Sequence, residues 1–405
     1  MTRPLASKTM RLKFYRPTWA EIDLDALEYN FGQVRKLVGQ KVKIMVTVKA
    51  DAYGHGIVPV SRALAIKGVD YLGVASIDEG ITLRKARINL PILILGTVLP
   101  NDVEPILKYN LTQTVCTEEL AYALDKEAGR RKQNAAIHIK VDTGMGRLGV
   151  SYDKAKNFIQ KIKSLRHLDL EGIFTHFPLA DTDINFTHNQ IKAFNKLILD
   201  LEREGIKFRL QHAANSMGLI GFPQSHFNMV RPGLVVYGIY PKKNLDIKLK
   251  PVLSLKTKVV FLNRFPQGKG ISYGHIYTTK KDTTVVNLPI GYGDGYPRNL
   301  SNIGPVLIRG KRFVVSGRIC MDQTLVDVGN LKVRLADEVV LIGRQGREKI
   351  LAEELARLSG TIPYEIVCGI GSRVPRIYLG KLSNKIEGET EVYNIGCPGR
   401  KSRYK

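Results

Sequence analysis

Lys43-Ile-Met-Val-Thr-Val-Lys-Ala-Asp-Ala-Tyr-Gly-His-Gly56 is the stretch on which the reading of this chain turns. Ile44 to Val48 is a short apolar run rich in β-branched residues, the pattern of a strand buried on both faces. Lys49 stands at its carboxyl end, and a small-residue turn with glycines at 54 and 56 follows. Burying an ammonium is costly. Two readings fit. Either the side chain snorkels to solvent along its apolar stem, or partial burial lowers its pKa so that the neutral amine can form a Schiff base with a carbonyl compound. The rest of the chain decides between them.

Working outward, strand-like and helix-like segments alternate. The strands are Ile44–Val48, Tyr71–Ala75, Ile92–Leu95, Thr112–Val115, Ala136–Val141, Leu168–Thr175, Phe208–His212 and Met229–Val236. Between them fall helical segments at about 58–67, 78–87, 101–108, 117–130, 153–164, 187–204 and 215–221. Upstream, Trp19–Asn30 joins a short alternating run to a helix capped near Asp23 or Asp25. Eight βα units predict an α/β fold, a closed (β/α)8 TIM-type barrel over residues 19–250. After Pro251 the rhythm changes to strands separated by Gly-rich turns: 252–261, 283–288, 305–308, 312–315 and 338–342, with one helix near 350–359. A mostly β C-terminal domain is therefore expected over 251–385, flanked by an N-terminal extension (1–18) and a basic tail (386–405).

At 405 residues the chain is too long for one ordinary core, in keeping with two domains. Residues 1–16 carry no apolar signal-peptide core, and no window reaches the apolar length of a membrane span. Cysteines at 116, 320, 368 and 397 are scattered and form no disulfide framework, so a reduced, cytoplasmic setting is expected. The net charge of +25 raises nucleic acid, an anionic membrane surface or acidic metabolites as partners. Most of the Lys and Arg are dispersed without interleaved aromatics, which argues against nucleic acid and leaves attraction of an anionic cofactor.

Active sites of such barrels lie at the carboxyl ends of the strands. The unusual residues fall there: Lys49; Lys140 with Asp142-Thr-Gly-Met-Gly-Arg147; His176; His212 with Asn215 and Ser216; and Arg231-Pro-Gly-Leu234. Singly, each has an ordinary explanation as a core histidine, an ion pair or a tight turn. Together at one mouth they are harder to dismiss. Asn215, Ser216, Gly233 and the amide of Leu234 occupy the loops after strands seven and eight, where such barrels build phosphate sites. A phosphate there and an amine at Lys49 would straddle the mouth, a span that fits pyridoxal phosphate.

At this point the chain resembles the bacterial alanine racemases, pyridoxal-phosphate-dependent enzymes of fold type III. The matching segments are Val48–Gly56, Lys140–Gly149, Phe174-Thr-His-Phe177, His212-Ala-Ala-Asn-Ser216, Met229-Val-Arg-Pro-Gly233, Ile271-Ser-Tyr-Gly274, Gly291–Pro297 and Ile319-Cys-Met-Asp-Gln323. They run in order from about Trp19 to Tyr378. The resemblance implies that Lys49 holds the cofactor and acts as one proton carrier. Tyr273 would be the second carrier on the opposite face, contributed by the other subunit of a head-to-tail homodimer. Arg231 would face the pyridine nitrogen, with His212 and His176 extending a polar chain. Tyr53, Asn215, Ser216, Gly233 and Leu234 would hold the phosphate. Arg147, with Met321 of the second copy, would fix the substrate carboxylate. Lys140 matches a position carbamylated in many members, and Tyr292 and Tyr364 match tyrosines that narrow the substrate's way in. Phe177-Pro178 departs from the more usual Phe-Ala, without touching a named role.

The activity so implied is interconversion of L- and D-alanine, supplying D-alanine for peptidoglycan. A decarboxylase of basic amino acids shares the architecture but needs no second-face base such as Tyr273. A non-catalytic pyridoxal-phosphate carrier resembles the barrel alone. A nucleic-acid-binding protein would show strongly salt-dependent retention on DNA.

Overall fold

The computed structural model describes residues 15–242 and 244–386. The extension through residue 14, the basic tail beyond 386 and Cys397 lie outside the described residues. The first strand, β1 (Thr18–Asp23), leads into helix Leu24–Val38, whose N-cap is Asp23 accepting from Ala26 N–H. Eight strands then build the barrel: β2 (Lys43–Thr47), β3 (Tyr71–Val74), β4 (Ile92–Ile94), β5 (Thr112–Val115), β6 (Ala135–Asp142), β8 (Leu168–Phe174), β9 (Leu210–His212) and β10 (Met229–Val230). The two-residue β7 (Val150–Ser151) pairs with the carboxyl end of β6. All neighbours are parallel in the order β5-β4-β3-β2-β10-β9-β8-β6, and a β5–β6 pairing closes the ring.

Polar caps start the intervening helices where the sequence supplies them. Ser76 accepts from Glu79 N–H, Thr117 from Leu120 N–H and Asp183 from Phe186 N–H. Alternation along the strands sorts the side chains. Ile44, Val46 and Val48 join the large core that packs strands against helices and continues into the second domain. Met45 turns the other way and meets Tyr71, Leu93, Leu210 and Met229 in a small separate cluster inside the barrel.

The second domain is built on β11 (Leu253–Lys258), β12 (Phe261–Phe265), β13 (Gly270–Ile271), β14 (Tyr277–Thr278), β15 (Thr283–Leu288), β16 (Pro305–Ile308), β17 (Lys311–Val314), β18 (Thr324–Gly329), β19 (Glu338–Gln345), β20 (Glu348–Ile350) and β21 (Arg376–Leu379). Its main sheet runs β17-β16-β19-β11-β1-β21, with β20 on β19; a second sheet is β12-β15-β18, and β13 pairs with β14. The strand that opens the described chain thus belongs to the sheet of the second domain, antiparallel to β11 and parallel to β21.

Three expectations differ from what is observed. The single strand expected over 252–261 splits at Val259 and Val260. Val259 N–H goes to Asp337 O and Val260 N–H to Asn287 O, so successive amides serve different sheets. The eighth barrel strand stops at Val230, because Pro232 has no N–H to give and 233–237 form a turn closed by Val236 N–H to Gly233 O and Tyr237 N–H to Leu234 O. Strands β7, β13, β14, β18, β20 and β21 and the helices Pro363–Cys368 and Ser383–Ile386 were not anticipated. Among the described residues, no helix is long and apolar enough to cross a membrane.

After β2 the chain does something unusual. Ala50, Asp51, Ala52 and Tyr53 all adopt left-handed helical angles, with φ between 52 and 55°. Gly54 continues at φ 78°, and a Cβ there would lie 2.1 Å from the Val367 carbonyl oxygen of helix Pro363–Cys368. Gly54→Ala therefore combines a strained φ with a backbone clash. It is expected to lower stability by about 2–4 kcal/mol, read as a fall in the denaturant midpoint at unchanged m. An unchanged midpoint would show that the two segments do not pack this closely.

Candidate active site

Lys49 enters the mouth of the barrel at the start of the left-handed turn, and several side chains hold that turn. Glu79 bridges it to the next loop, accepting from Ala50 N–H at 2.7 Å and from Ala75 N–H at 2.7 Å. Asp51 Oδ1 accepts from Ile57 N–H at 2.7 Å, and Arg376 Nε donates to Gly54 O at 3.1 Å. Lys49 itself is half-buried. Its pKa falls from the ordinary lysine value, first through burial and then through the Arg147 charge, while Glu79 and Cys368 pull the other way.

Tyr53, at the end of the turn, faces the loops after β9 and β10. A Cβ on Gly233 would sit 2.6 Å from the Tyr53 hydroxyl, so only glycine leaves that space open. Gly233 N–H donates to Ser216 Oγ at 3.0 Å. Asn215 caps the helix Ser216–Gly221, its side-chain oxygen accepting from Gly218 N–H at 2.9 Å while its amide donates to Phe177 O. Its side chain therefore shapes the loop. Leu234 lies buried in the turn that follows Gly233.

Across the mouth, Arg231 is buried and its donors are aimed by four acceptors. One terminal nitrogen reaches His212 Nδ1 at 2.7 Å; the other reaches Thr175 O at 2.7 Å, Ala213 O at 2.9 Å and His176 Nδ1 at 3.3 Å. Burial draws the guanidinium down to about 9, which leaves it a cation at neutral pH. Burial, and then the Arg231 charge, push His176 and His212 well below the usual histidine range, so both are neutral. Phe174 stacks on the His212 ring, with centroids 4.7 Å apart and planes 5° from parallel.

Lys140, on β6, is 4% exposed and is lowered to about 8 by burial, then by Arg231 and Arg147. Beyond it the carboxylate of Asp142 accepts from the backbone N–H groups of Gly144, Met145 and Gly146, folding the loop that presents the exposed Arg147. Tyr364, on helix Pro363–Cys368, packs against Tyr53 with ring centroids 5.4 Å apart, and burial pushes its hydroxyl up to about 12.

The remaining expected residues gather elsewhere, on the β domain. Tyr273, Met321 and Tyr292 are exposed, at 71%, 53% and 42%. They are joined through Ser272, whose hydroxyl donates to Arg318 O, and through Tyr292 N–H to Cys320 O and Gly293 N–H to Met321 O. The structure thus assembles two groups: a barrel group around Lys49 and an exposed triad on the second domain.

Sequence reading missed Glu79, Asp51 and Arg376, which support the turn. It also missed His138, whose ring reaches His212 from below. A signal existed for the last: His138 lies two residues before Lys140 on one strand, so both point inside the barrel.

A parallel barrel with a lysine at its mouth, a glycine-opened cradle opposite and a β domain at its carboxyl end have the form of a two-domain barrel enzyme. The family profile described as the N-terminal domain of alanine racemase matches residues 22–241, and that of its C-terminal domain matches 252–378. The chain belongs to the alanine racemase family, whose members are amino-acid isomerases. The alanine racemase of Halothermothrix orenii is 47% identical over 377 residues, 92% of this chain and 100% of that one. The alanine racemase of Clostridium difficile 630 superposes with a TM-score of 0.86 at 39% identity, covering 91% of this chain and 97% of that one. The Bacillus anthracis alanine racemase with bound L-Ala-P superposes with a TM-score of 0.86 at 37% identity, covering 91% and 96%.

The Lys140 ammonium should leave a mark on stability. With a folded value of about 8 against 10.5, its burial penalty is fully present below pH 8 and is relieved as pH rises towards 10.5. In CO2-free buffer, Lys140→Met should be more stable than the parent below pH 8 by up to about 3 kcal/mol, an advantage that shrinks above it. Urea unfolding at several pH values checks this; a pH-independent difference would refute it.

Proposed function

We propose that this chain interconverts L- and D-alanine with pyridoxal phosphate as resident cofactor, moving one proton off and one proton onto the two faces of the substrate's α-carbon. The observation that carries the reading is the convergence at one mouth of a half-buried lysine of lowered pKa and a cradle that any Cβ at Gly233 would fill. The residues present fit the cofactor. Lys49 Nζ offers an amine for its aldehyde. The Tyr53 and Ser216 hydroxyls, the Asn215 loop and the backbone at Gly233 and Leu234 would hold its phosphate, and Arg231 would face its ring nitrogen. When bound, the cofactor supplies an electron-withdrawing ring that takes up charge as the α-proton leaves.

The residue roles proposed are those that the family resemblance implies, and the charges at the mouth support them. Lys49 Nζ, with its proton affinity reduced, removes or returns the α-proton on one face. The Tyr273 hydroxyl serves the opposite face. Arg231 keeps its own proton, so it would leave the ring nitrogen unprotonated and the electron sink weak. Arg147, with Met321, fixes the substrate carboxylate, and Tyr292 and Tyr364 keep the way in narrow, which favours a methyl side chain. A fractionally neutral Lys140 amine is poised to add CO2, releasing a proton and giving a carbamate that would orient Arg147.

The exposure of Tyr273, Tyr292 and Met321 supports a homodimer in which this triad completes the mouth of the second copy's barrel. A cytoplasmic enzyme delivering D-alanine for peptidoglycan agrees with the free cysteines at 116, 320 and 368.

Subunit mixing tests the shared site. Lys49→Ala and Tyr273→Phe homodimers should each be nearly inactive in a chiral alanine assay, and Lys49→Ala should lack the visible absorption of covalently held cofactor. Mixed by unfolding and refolding in equal amounts, they should recover about a quarter of parental activity, since half the dimers are mixed and each holds one intact site. No recovery would place Tyr273 on its own chain's barrel; an unchanged spectrum in Lys49→Ala would sink the cofactor assignment.

A further inference from the structure

Arg231 is a buried cation with no carboxylate in contact: none of the ion pairs among the described residues includes it. An uncompensated charge at such depth is costly. Its bond to His212 is the first link of a hydrogen-bond chain that ends on a carboxylate. Arginine only donates, so His212 Nδ1 must be the acceptor and its proton must sit on Nε2. That Nε2–H points at His138 Nδ1, 2.8 Å away. His138 in turn carries its proton on Nε2, which donates to Glu171 Oε2 at 3.2 Å. The Tyr71 hydroxyl donates to the same oxygen at 2.8 Å and lies 2.8 Å from Thr112 Oγ1. Arg209 stands 3.7 Å from the carboxylate and pairs with Asp169.

The arrangement is built rather than incidental. Both imidazoles are fully buried, and a Cβ on Gly172 would lie 2.6 Å from the His138 ring, so glycine at that position makes its room. Burial lowers His138 and keeps it neutral, as a one-proton ring in a one-way chain requires. Burial would raise Glu171, but hydrogen bonds from His138 and Tyr71 and the Arg209 charge hold it below the ordinary carboxylate range, an anion. The charges facing the rings are Arg231 and Lys140 above and Glu171 and Arg209 below.

We infer that Glu171 is a positioning residue for Arg231: through His138 it fixes the tautomer of His212, so that His212 Nδ1 is a permanent acceptor for the guanidinium, and it supplies the countercharge from the far end of the barrel interior. The hydrogen-bond directions stand on their own; the effect on turnover rests on the role proposed for Arg231. Substrate never meets Glu171.

The test uses the full chain with pyridoxal phosphate, labelled with 15N-histidine. In the parent protein, His138 and His212 should both be neutral Nε2–H tautomers; His212 protonated on Nδ1 overturns the inference even if no variant folds. Glu171→Gln keeps an acceptor and removes the charge. It should shift the His212 Nδ1 resonance and lower kcat about tenfold while KM for alanine stays within about twofold. An unmoved resonance or an unchanged kcat overturns it. The two readings fail separately. Loss of the cofactor assignment leaves the histidine tautomers standing, whereas a wrong tautomer beside a normal cofactor spectrum removes only the chain.

Discussion

Lys49 reaches the mouth of the barrel because the backbone after it winds the wrong way. Left-handed helical angles cost an L-residue about 1–2 kcal/mol each, and here four follow one another. Inside the turn Ala52 N–H bonds to Val48 O and Gly56 N–H to Asp51 O, and further contacts hold it from outside. Glu79 ties its first amide to the neighbouring loop, Asp51 reaches forward to Ile57, and Arg376 grips the Gly54 carbonyl. Two glycines let the second domain close on it: Gly54 under the Val367 carbonyl and Gly56 under the Tyr378 hydroxyl. The β domain is therefore more than a platform for Tyr273. Its helix Pro363–Cys368 and its strand β21 clamp the strained segment that presents the lysine, and strain of this kind persists where the surroundings over-determine it.

This also explains what the sequence could disclose. Short apolar runs of Val, Ile and Leu announced the barrel strands, and their regular alternation with helical segments announced the barrel, because those signals are local. The residues that ring the mouth were legible for a related reason. Each stands at a strand end, where polar residues have no business unless something uses them. The handedness of Ala50–Tyr53 was illegible, since alanine gives no signal for it and part of what holds it lies more than 300 residues away in Val367, Arg376 and Tyr378. The same distance hid the membership of β1 in the second sheet: Thr18–Asp23 alternates like any strand, and only β11 and β21 say where it goes. At Val259–Val260 an unbroken apolar run concealed a change of sheet that is made by two hydrogen-bond partners rather than by a breaking residue.

The mouth gathers Lys49, Lys140, Arg147 and Arg231, and their mutual repulsion helps lower both lysines. Such a concentration of cations is unfavourable on its own and becomes favourable when a phosphate and a carboxylate arrive. It also sets the chemistry, because a lysine short of its full proton affinity can act as a base near neutral pH.

Placement of the Glu171 carboxylate follows from that requirement. Glu171 in direct contact with Arg231 would satisfy the cation, but it would also cancel the positive field that the site offers to its anions. Set behind two imidazoles, it fixes the direction of every proton between itself and the guanidinium while its charge stays on the barrel floor beside Arg209. The interior of a parallel barrel is ordinarily filled with layers of branched apolar side chains, and here Met45, Leu93, Leu210 and Met229 still do that. Giving part of this volume to His138, Glu171 and Tyr71 is tolerable only when each polar atom is matched, since a half-satisfied buried network is worse than an apolar core. The hydrogen bonds joining Tyr71, Glu171, His138, His212 and Arg231 meet that condition without bringing a negative charge to the reacting end.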